Sequence, residues 1–371
     1  MSNPTIDKET ETSGTIKCSN CAASLKFKPG TKHLACEYCG TENEIAGGPA
    51  EIKENDYHSF LSQKSGSSEK KDLTVCKCSN CGASTTLPAN VTGSSCPYCD
   101  TPLVVANAST CSIIQPKYLL PFKVENKAAK ESFVKWAKGL WFAPSKLKDY
   151  AAHSAEKLRG VYMPYWTYDS DTTTHYTGER GEYYYTTETY TDSEGKLKTR
   201  RERHTRWYPA SGTVYNKFDD ILICASSSLP NKLTHSLEPW DLKEMVDFND
   251  QYLKGFLTES YQVDLEKGFE QAKGIMLDTI ENSVKSDIGG DTQIVGHLDA
   301  NYDNITFKHI LLPLWISAYS FNNKTYRFVI NARTGEVQGE RPYSVAKILL
   351  LILSIIAIIA AILYFSKGGN E

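Results

Sequence analysis

Eight cysteines constrain this fold more than any other feature. Cys18, Cys21, Cys36 and Cys39 read C-x2-C-x14-C-x2-C, and Cys78, Cys81, Cys96 and Cys99 repeat the same spacing. The likeness extends past the thiols. Cys18-Ser19-Asn20-Cys21-Ala22-Ala23-Ser24 matches Cys78-Ser79-Asn80-Cys81-Gly82-Ala83-Ser84, and Cys36-Glu37-Tyr38-Cys39-Gly40-Thr41 matches Cys96-Pro97-Tyr98-Cys99-Asp100-Thr101, an internal duplication. Each C-x2-C turn supplies two soft thiolates, and the excursion between turns lets a short hairpin bring both pairs to tetrahedral corners. Four thiolates fill the coordination shell of zinc and leave no place for water. The expectation is therefore two structural zinc ions, one per ribbon, and no metal-activated hydrolysis. A disulfide framework is the competing reading, and reduced cytosolic thiols argue against it. Gly40 and Gly82 close their knuckles where a positive φ is often needed, and Asp100 tolerates it. Ala22 fits less well, which marks the first half of ribbon one as the weak point. Of the remaining thiols Cys76, Cys111 and Cys224, Cys76 is read either as a competing ligand or as a plain, partly exposed thiol.

A second constraint lies at the other end. Ile348 to Phe365 carries no charge, and as a helix at ~1.5 Å per residue it matches a ~30 Å hydrocarbon core. It reads as one transmembrane helix, assigned to 346–366. Arg341 and Lys347 before it against Lys367 after it favour a cytosolic N-terminal bulk and a C-terminus outside. Met1 to Gly14 is polar and lacks a signal-peptide core, consistent with that orientation. The net charge of −3 supplies no global field toward nucleic acid or acidic membrane.

Between these features the chain divides into a disordered N-terminus (1–14), zinc ribbon 1 (15–46), a Gly/Ser/Lys/Glu-rich flexible linker (47–73) with one short helical turn at Asp56 to Gln63, zinc ribbon 2 (74–108) and an α+β domain (117–341). The fold class is α+β: two small ribbons, a mixed antiparallel-sheet and helix domain, and the terminal span. Helical spacing predicts helices over Asn126 to Leu140, Pro144 to Leu158, Asp241 to Phe256 and Leu265 to Lys285. Strand patterns run from Val161 to Tyr168, Thr172 to Thr177, Glu182 to Thr191, Lys196 to Tyr208, Thr213 to Ala225, Asp291 to Leu298, Asn304 to Tyr319, Thr325 to Asn331 and Glu336 to Glu340, with a hairpin turn at Asp192 to Gly195. Tyr162-Met163-Pro164-Tyr165-Trp166-Thr167 is similar to Leu311-Leu312-Pro313-Leu314-Trp315-Ile316, and Leu119-Leu120-Pro121-Phe122 echoes both. This leaves open a domain of two related halves or a chance likeness of apolar strands.

The paired ribbons, the stretch Gly160-Val161-Tyr162-Met163-Pro164-Tyr165-Trp166-Thr167-Tyr168-Asp169, its sequel Thr174-His175-Tyr176-Thr177-Gly178 and the single C-terminal span together resemble a bacterial family of membrane-anchored tandem zinc-ribbon proteins. Some members of that family are automatically described as primosomal replication helicases. The resemblance implies cytosolic ribbons and, in some members, a link to phage-shock and flotillin-like membrane-stress proteins. The helicase description does not carry over, because no G-x4-G-K-[ST] loop is present to cradle a triphosphate.

Three function classes follow. The first is a membrane-tethered adaptor or sensor presenting protein-interaction surfaces at the inner face of the membrane. The second is nucleic-acid binding through the ribbons or through the basic hairpin Lys196, Lys198, Arg200, Arg201, Arg203 and Arg206, with Trp207 and Tyr208 beside it; a solvated edge strand and an anionic-lipid contact are the alternatives for that hairpin. The third is an enzyme. No H-E-x-x-H or G-x-S-x-G motif supports it, and His297 and Asp299 form a close His/Asp pair. No catalytic residue is assigned.

Overall fold

The structure, a computed structural model, describes residues 16–45, 51–62, 70–86, 93–99, 101–104, 108–144, 157–193, 195–321 and 324–368. The expected disordered N-terminus, Asp100 and most of the helix expected over Pro144 to Leu158 lie outside them. Six elements carry the architecture: helix α1 (Asn126–Gly139), strands β1 (Arg159–Thr191) and β2 (Leu197–Cys224), helix α2 (Leu265–Ile288), strand β3 (Thr292–Phe321) and helix α3 (Val345–Gly368).

The separate short strands expected from the sequence fuse into three very long ones. β1 alone runs for 33 residues, pairing antiparallel with β2 on one side and β3 on the other. Its sequence changes character along its length because its surroundings do. Gly160 to Tyr168 is apolar, aromatic and buried on both faces; Asp169 to Thr177 alternates, with Thr172, Thr174 and Tyr176 inward; beyond Glu182 the strand is largely exposed. α2 covers the alternating stretch with Phe269, Ala272, Met276, Ile280 and Val284, which pack on Tyr168, Tyr176, Val214 and Phe218. β3 pairs with β1 only as far as Thr292↔Gly181. The β1–β2 hairpin therefore continues as a two-stranded arm ending at Asp192 and Leu197.

The likeness around the two Pro-x-Trp motifs has a structural counterpart. Met163 pairs with Leu312, with Tyr162↔Pro313 and Pro164↔Leu311 on either side, so the motifs run antiparallel across a local two-fold. Trp166 donates its indole N–H to the carbonyl of Val263 at 2.9 Å, two residues before α2, and Trp315 donates to Val124 at 2.8 Å, two residues before α1. Ala225 N bonds Pro164 O at 2.9 Å, as Ala332 N bonds Pro313 O at 3.1 Å. Tyr261 rests on Trp166 at 5.2 Å and Phe122 on Trp315 at 5.1 Å. Each half is thus a βαββ unit whose Trp seals the start of the other half's helix. The Leu119 to Phe122 stretch is the exception to the expected echo. Tyr118–Leu119 pairs parallel to Ile310–Leu311 as Leu257–Thr258 pairs parallel to Val161–Tyr162, so its counterpart is the stretch from Thr258 to Tyr261 and not the Trp motif.

Two further expectations differ. Asp241 to Phe256 is no helix; it forms 3-10 turns at Leu242–Glu244 and Asp250–Leu253 around a strand at Val246–Asp247. Val246 pairs with Leu119, Asn249 caps the second turn, and Gly255 takes φ +91°, so sheet pairing overrides the helical spacing. The expected linker is docked over part of its length. Asn55–Asp56 pair with Phe307–Thr306, and in the helix Tyr57–Ser62 the Tyr57 ring lies 5.0 Å from Phe269. Lys70–Lys77 forms a strand of the main sheet. Tyr57 and Phe60 are the apolar anchors that the polar composition of this segment concealed.

Candidate metal centres and an exposed arm

Each ribbon gathers its four thiols at one point. In ribbon 1 Cys18 and Cys39 Sγ are 3.5 Å apart and Cys21 and Cys36 Sγ 3.4 Å; in ribbon 2 Cys78 and Cys99 are 3.6 Å apart and Cys81 and Cys96 3.5 Å. All ligand atoms within a set lie within 4.8 Å of one another. A tetrahedron of Zn–S bonds of about 2.3 Å has edges of about 3.8 Å, so both sets fit one ion with small shifts of the sulfurs. Backbone bonds build the corners. Cys18 N bonds Ala23 O, Cys36 N bonds Thr41 O, Cys78 N bonds Ala83 O and Cys96 N bonds Thr101 O, at 2.7–2.9 Å. In three of these knuckles the closing residue is left-handed: Ala22 at φ 58°, Gly40 at 73° and Gly82 at 77°. Ala22 adopts the conformation that the sequence marked as unfavourable for it. Cys76 belongs to neither set and is buried at 1% exposure, against the expectation of a partly exposed thiol.

The ribbons are not free beads. Phe27 of ribbon 1 packs edge-on to Tyr252 at 5.1 Å, its N–H bonds Lys254 O, and Gly30 N–H bonds Phe122 O at 2.8 Å. Ribbon 2 joins the main sheet through Thr85↔Glu259 and Thr86↔Thr258. Tyr98, between the last two cysteines, donates its hydroxyl to Oε2 of buried Glu259. The other oxygen accepts from Ser226 at 2.9 Å, from Gln262 at 2.8 Å and from Ser228. Burial raises the Glu259 carboxyl to about 7 against the opposing pull of its hydroxyl donors. Nothing in the sequence singled out Glu259 or Tyr98 as partners. The only clue was an acidic residue in an otherwise strand-like stretch.

A third cluster gathers the carboxylates Glu54, Asp169, Asp219 and Asp220, and the Lys308 ammonium lies 2.6 Å from Glu54 and 2.7 Å from Asp220. Burial, together with the neighbouring Glu54, raises Asp169 to about 7. This is an ion network that ties residues 54–56 to β3. The His297 and Asp299 side chains stand exposed on β3.

The basic hairpin is the two-stranded arm, and its register sorts the cations by face. Register pairs Arg203 with Tyr185, Arg201 with Thr187 and Trp207 with Gly181. Arg201 stacks over Tyr185 at 3.9 Å and Arg203 over Tyr183 at 4.3 Å. The opposite face carries Lys198, which pairs with Asp192 at 2.9 Å, Arg200, which pairs with Glu202, and Arg206 over Tyr184 at 5.2 Å. Lys196 N–H bonds Asp192 at the turn. The six cations therefore do not act as one patch. Among the described residues of the two-stranded part, the Arg201/Arg203 face holds Tyr183, Tyr185, Trp207 and threonines and no carboxylate.

α3 is exposed from Leu349 to Ile362, and Val345–Ile362 is long and apolar enough to cross a membrane. Among the described residues, fold and sites define an α+β protein with two four-cysteine clusters positioned to bind metal ions and one candidate span. The chain is 26% identical over 333 residues, 90% of its own length and 91% of the relative's, to "Uncharacterized protein YdjG" of Bacillus subtilis (strain 168). No protein-family model matches it, and no solved structure shows a significant match.

Proposed function

We propose that this chain is a membrane-tethered zinc-ribbon adaptor or sensor, with its bulk in the cytosol and its C-terminus outside. Its two ribbons and interlocked βαββ core form a rigid base from which the β1–β2 arm is presented to protein partners at the inner face of the membrane. The observation that carries this reading is the arm itself: two strands extended beyond Thr292, where β3 begins and its pairing with β1 stops, with Tyr184, Tyr185, Tyr190 and Leu197 exposed. A segment that leaves the core and displays aromatic rings is suited to recognition. Both metal sites use four thiolates, which suits structural zinc. Partners of the phage-shock or flotillin-like kind are the proposal that the family resemblance adds. A photo-crosslinking amino acid at Tyr185, in cells, yields a discrete protein adduct that is missing when the probe sits at Ser286 on α2. Equal labelling at both positions would remove the support for the arm. A second reading, nucleic-acid binding, draws on the carboxylate-free Arg201/Arg203 face, where cations stacked on rings suit phosphates and bases.

A further inference from the structure

The helix proposed to span the membrane does not emerge from the domain on a loose tether. Ser344 N–H bonds the Phe142 carbonyl at 2.7 Å, and the Lys347 ammonium bonds the carbonyls of Ala143 at 2.7 Å and Trp141 at 3.2 Å. The loop from Trp141 to Ala143, which follows α1, is thereby fastened to the first turn of α3, where the apolar window opens at Val345. That loop holds its rings outward. Trp141 is 76% exposed, Phe142 36% and, on the approach to the helix, Tyr343 59%. The Arg341 guanidinium lies over the Tyr343 ring at 5.6 Å.

We propose that Trp141, Phe142 and Tyr343 form a seat in the lipid headgroup layer, so that the domain rests on the bilayer at a fixed orientation. This rests on the reading of α3 as a membrane span. The rings of Trp141 and Tyr343, each with one polar end, favour the interface between hydrocarbon and water, Phe142 adds an apolar ring beside Trp141, and the three stand at the level where the helix enters. Arg341 adds a cation at headgroup depth. Lys347, two residues into the apolar window, turns its ammonium back to the loop carbonyls and out of the hydrocarbon. Against a bilayer the rings become a second attachment point, which aims the arm relative to the membrane instead of leaving it to swing.

The test uses the full chain in nanodiscs of phosphatidylcholine and phosphatidylglycerol, with and without brominated phosphatidylcholine. The chain has six tryptophans, so the Trp141 signal is the difference between wild type and Trp141→Phe. Because Trp141 is mostly exposed, this substitution leaves the fold intact, which circular dichroism checks. The expected result is that bromolipid removes at least half of the Trp141 difference emission while aqueous iodide barely touches it. Iodide quenching without bromolipid quenching would place the ring in water and overturn the seat. Protection from both quenchers would mean that a protein surface covers it, and overturns the seat equally. A chain that stays soluble without detergent and does not enter nanodiscs would instead refute the span, a separate failure.

Discussion

The hydroxyl of Tyr98 reaches across from the second four-cysteine cluster to the buried carboxyl of Glu259, joining that ribbon to the main sheet. Because Tyr98 lies between Cys96 and Cys99, the geometry of that knuckle and the protonation of Glu259 are mechanically connected. A carboxyl raised to about 7 in the folded protein and near 4.3 in an unfolded chain binds its proton more tightly when folded. Its contribution to stability is fully present below the unfolded value and is lost as pH rises through about 7. Denaturant unfolding in excess zinc between pH 6 and pH 8 is expected to show a loss approaching ~1.4 kcal/mol per pH unit at the acid end of that window. Glu259→Gln removes this titration, so its slope should be flatter than wild type by up to one proton. Identical slopes would show that Glu259 is already ionised at pH 6.

The knuckle residues make a paired prediction. Ala22 sits at φ 58° and Gly82 at the equivalent turn at 77°, and nothing lies within 4 Å of where a Gly82 Cβ would be. Backbone conformation therefore dominates both exchanges. Ala22→Gly is expected to stabilise ribbon 1 by roughly 1 kcal/mol, and Gly82→Ala to destabilise ribbon 2 by a similar amount. Zinc competition with a chromophoric chelator reads this directly: Ala22→Gly should slow release from one site, and Gly82→Ala should speed release from the other. Changes of the same sign in both variants would contradict the argument.

Metal analysis should return two zinc ions per chain, since eight thiols form two closed sets. The consequence of losing one goes beyond its own ribbon. Leu25, Phe27, Leu34 and Ile45 of ribbon 1 lie in one core with Phe122, Tyr162 and Trp315, and Tyr98 and Leu103 of ribbon 2 lie in another with Met163 and Leu312. Cys36→Ser and Cys96→Ser are each expected to lower the melting temperature of the whole domain, not only to abolish one metal site. An independent ribbon would instead unfold in a separate, early transition and leave the main one unmoved.

What could be read from sequence tracks how local its cause is. The thiol sets, α1, α2 and the terminal helix depend on spacing within a few turns, and each appears where the pattern put it. The three long strands were cut into pieces because polar runs such as Asp169-Ser170-Asp171 resemble strand ends, whereas here they mark the change from two-sided to one-sided burial. The docking of residues 51–62 turns on Tyr57, Phe60 and the Glu54–Lys308 pair, whose partners lie more than 200 residues away. Reciprocal bonds from Trp166 to Val263 and from Trp315 to Val124 explain why the two Pro-x-Trp motifs look alike, yet their interlocking is visible only in three dimensions. The same holds for the basic hairpin: composition counted six cations, and register divided them between two faces.

That division sharpens the test between the adaptor and nucleic-acid readings. Arg201 and Arg203 are the arginines on the carboxylate-free face, while Lys198 and Arg200 are already paired with Asp192 and Glu202. If the arm tracks a single-stranded backbone, Arg201→Ala with Arg203→Ala should remove about two phosphate contacts, lowering the slope of log affinity against log salt by about 1.4. Tyr185→Ala should then weaken binding by a further ~1–3 kcal/mol through lost base stacking. Lys198→Ala with Arg200→Ala, which removes the same charge from the opposite face, should change the slope far less. If the arm serves protein partners alone, the full chain in detergent shows no binding to labelled oligonucleotide at physiological salt, and both double variants leave that result unchanged. Equal effects from the two double variants would mean that binding follows net charge and not the aromatic face, and would sink the stacking argument. The adaptor reading predicts the outcome without oligonucleotide binding, accompanied by loss of the Tyr185 crosslink in Arg201→Ala with Arg203→Ala.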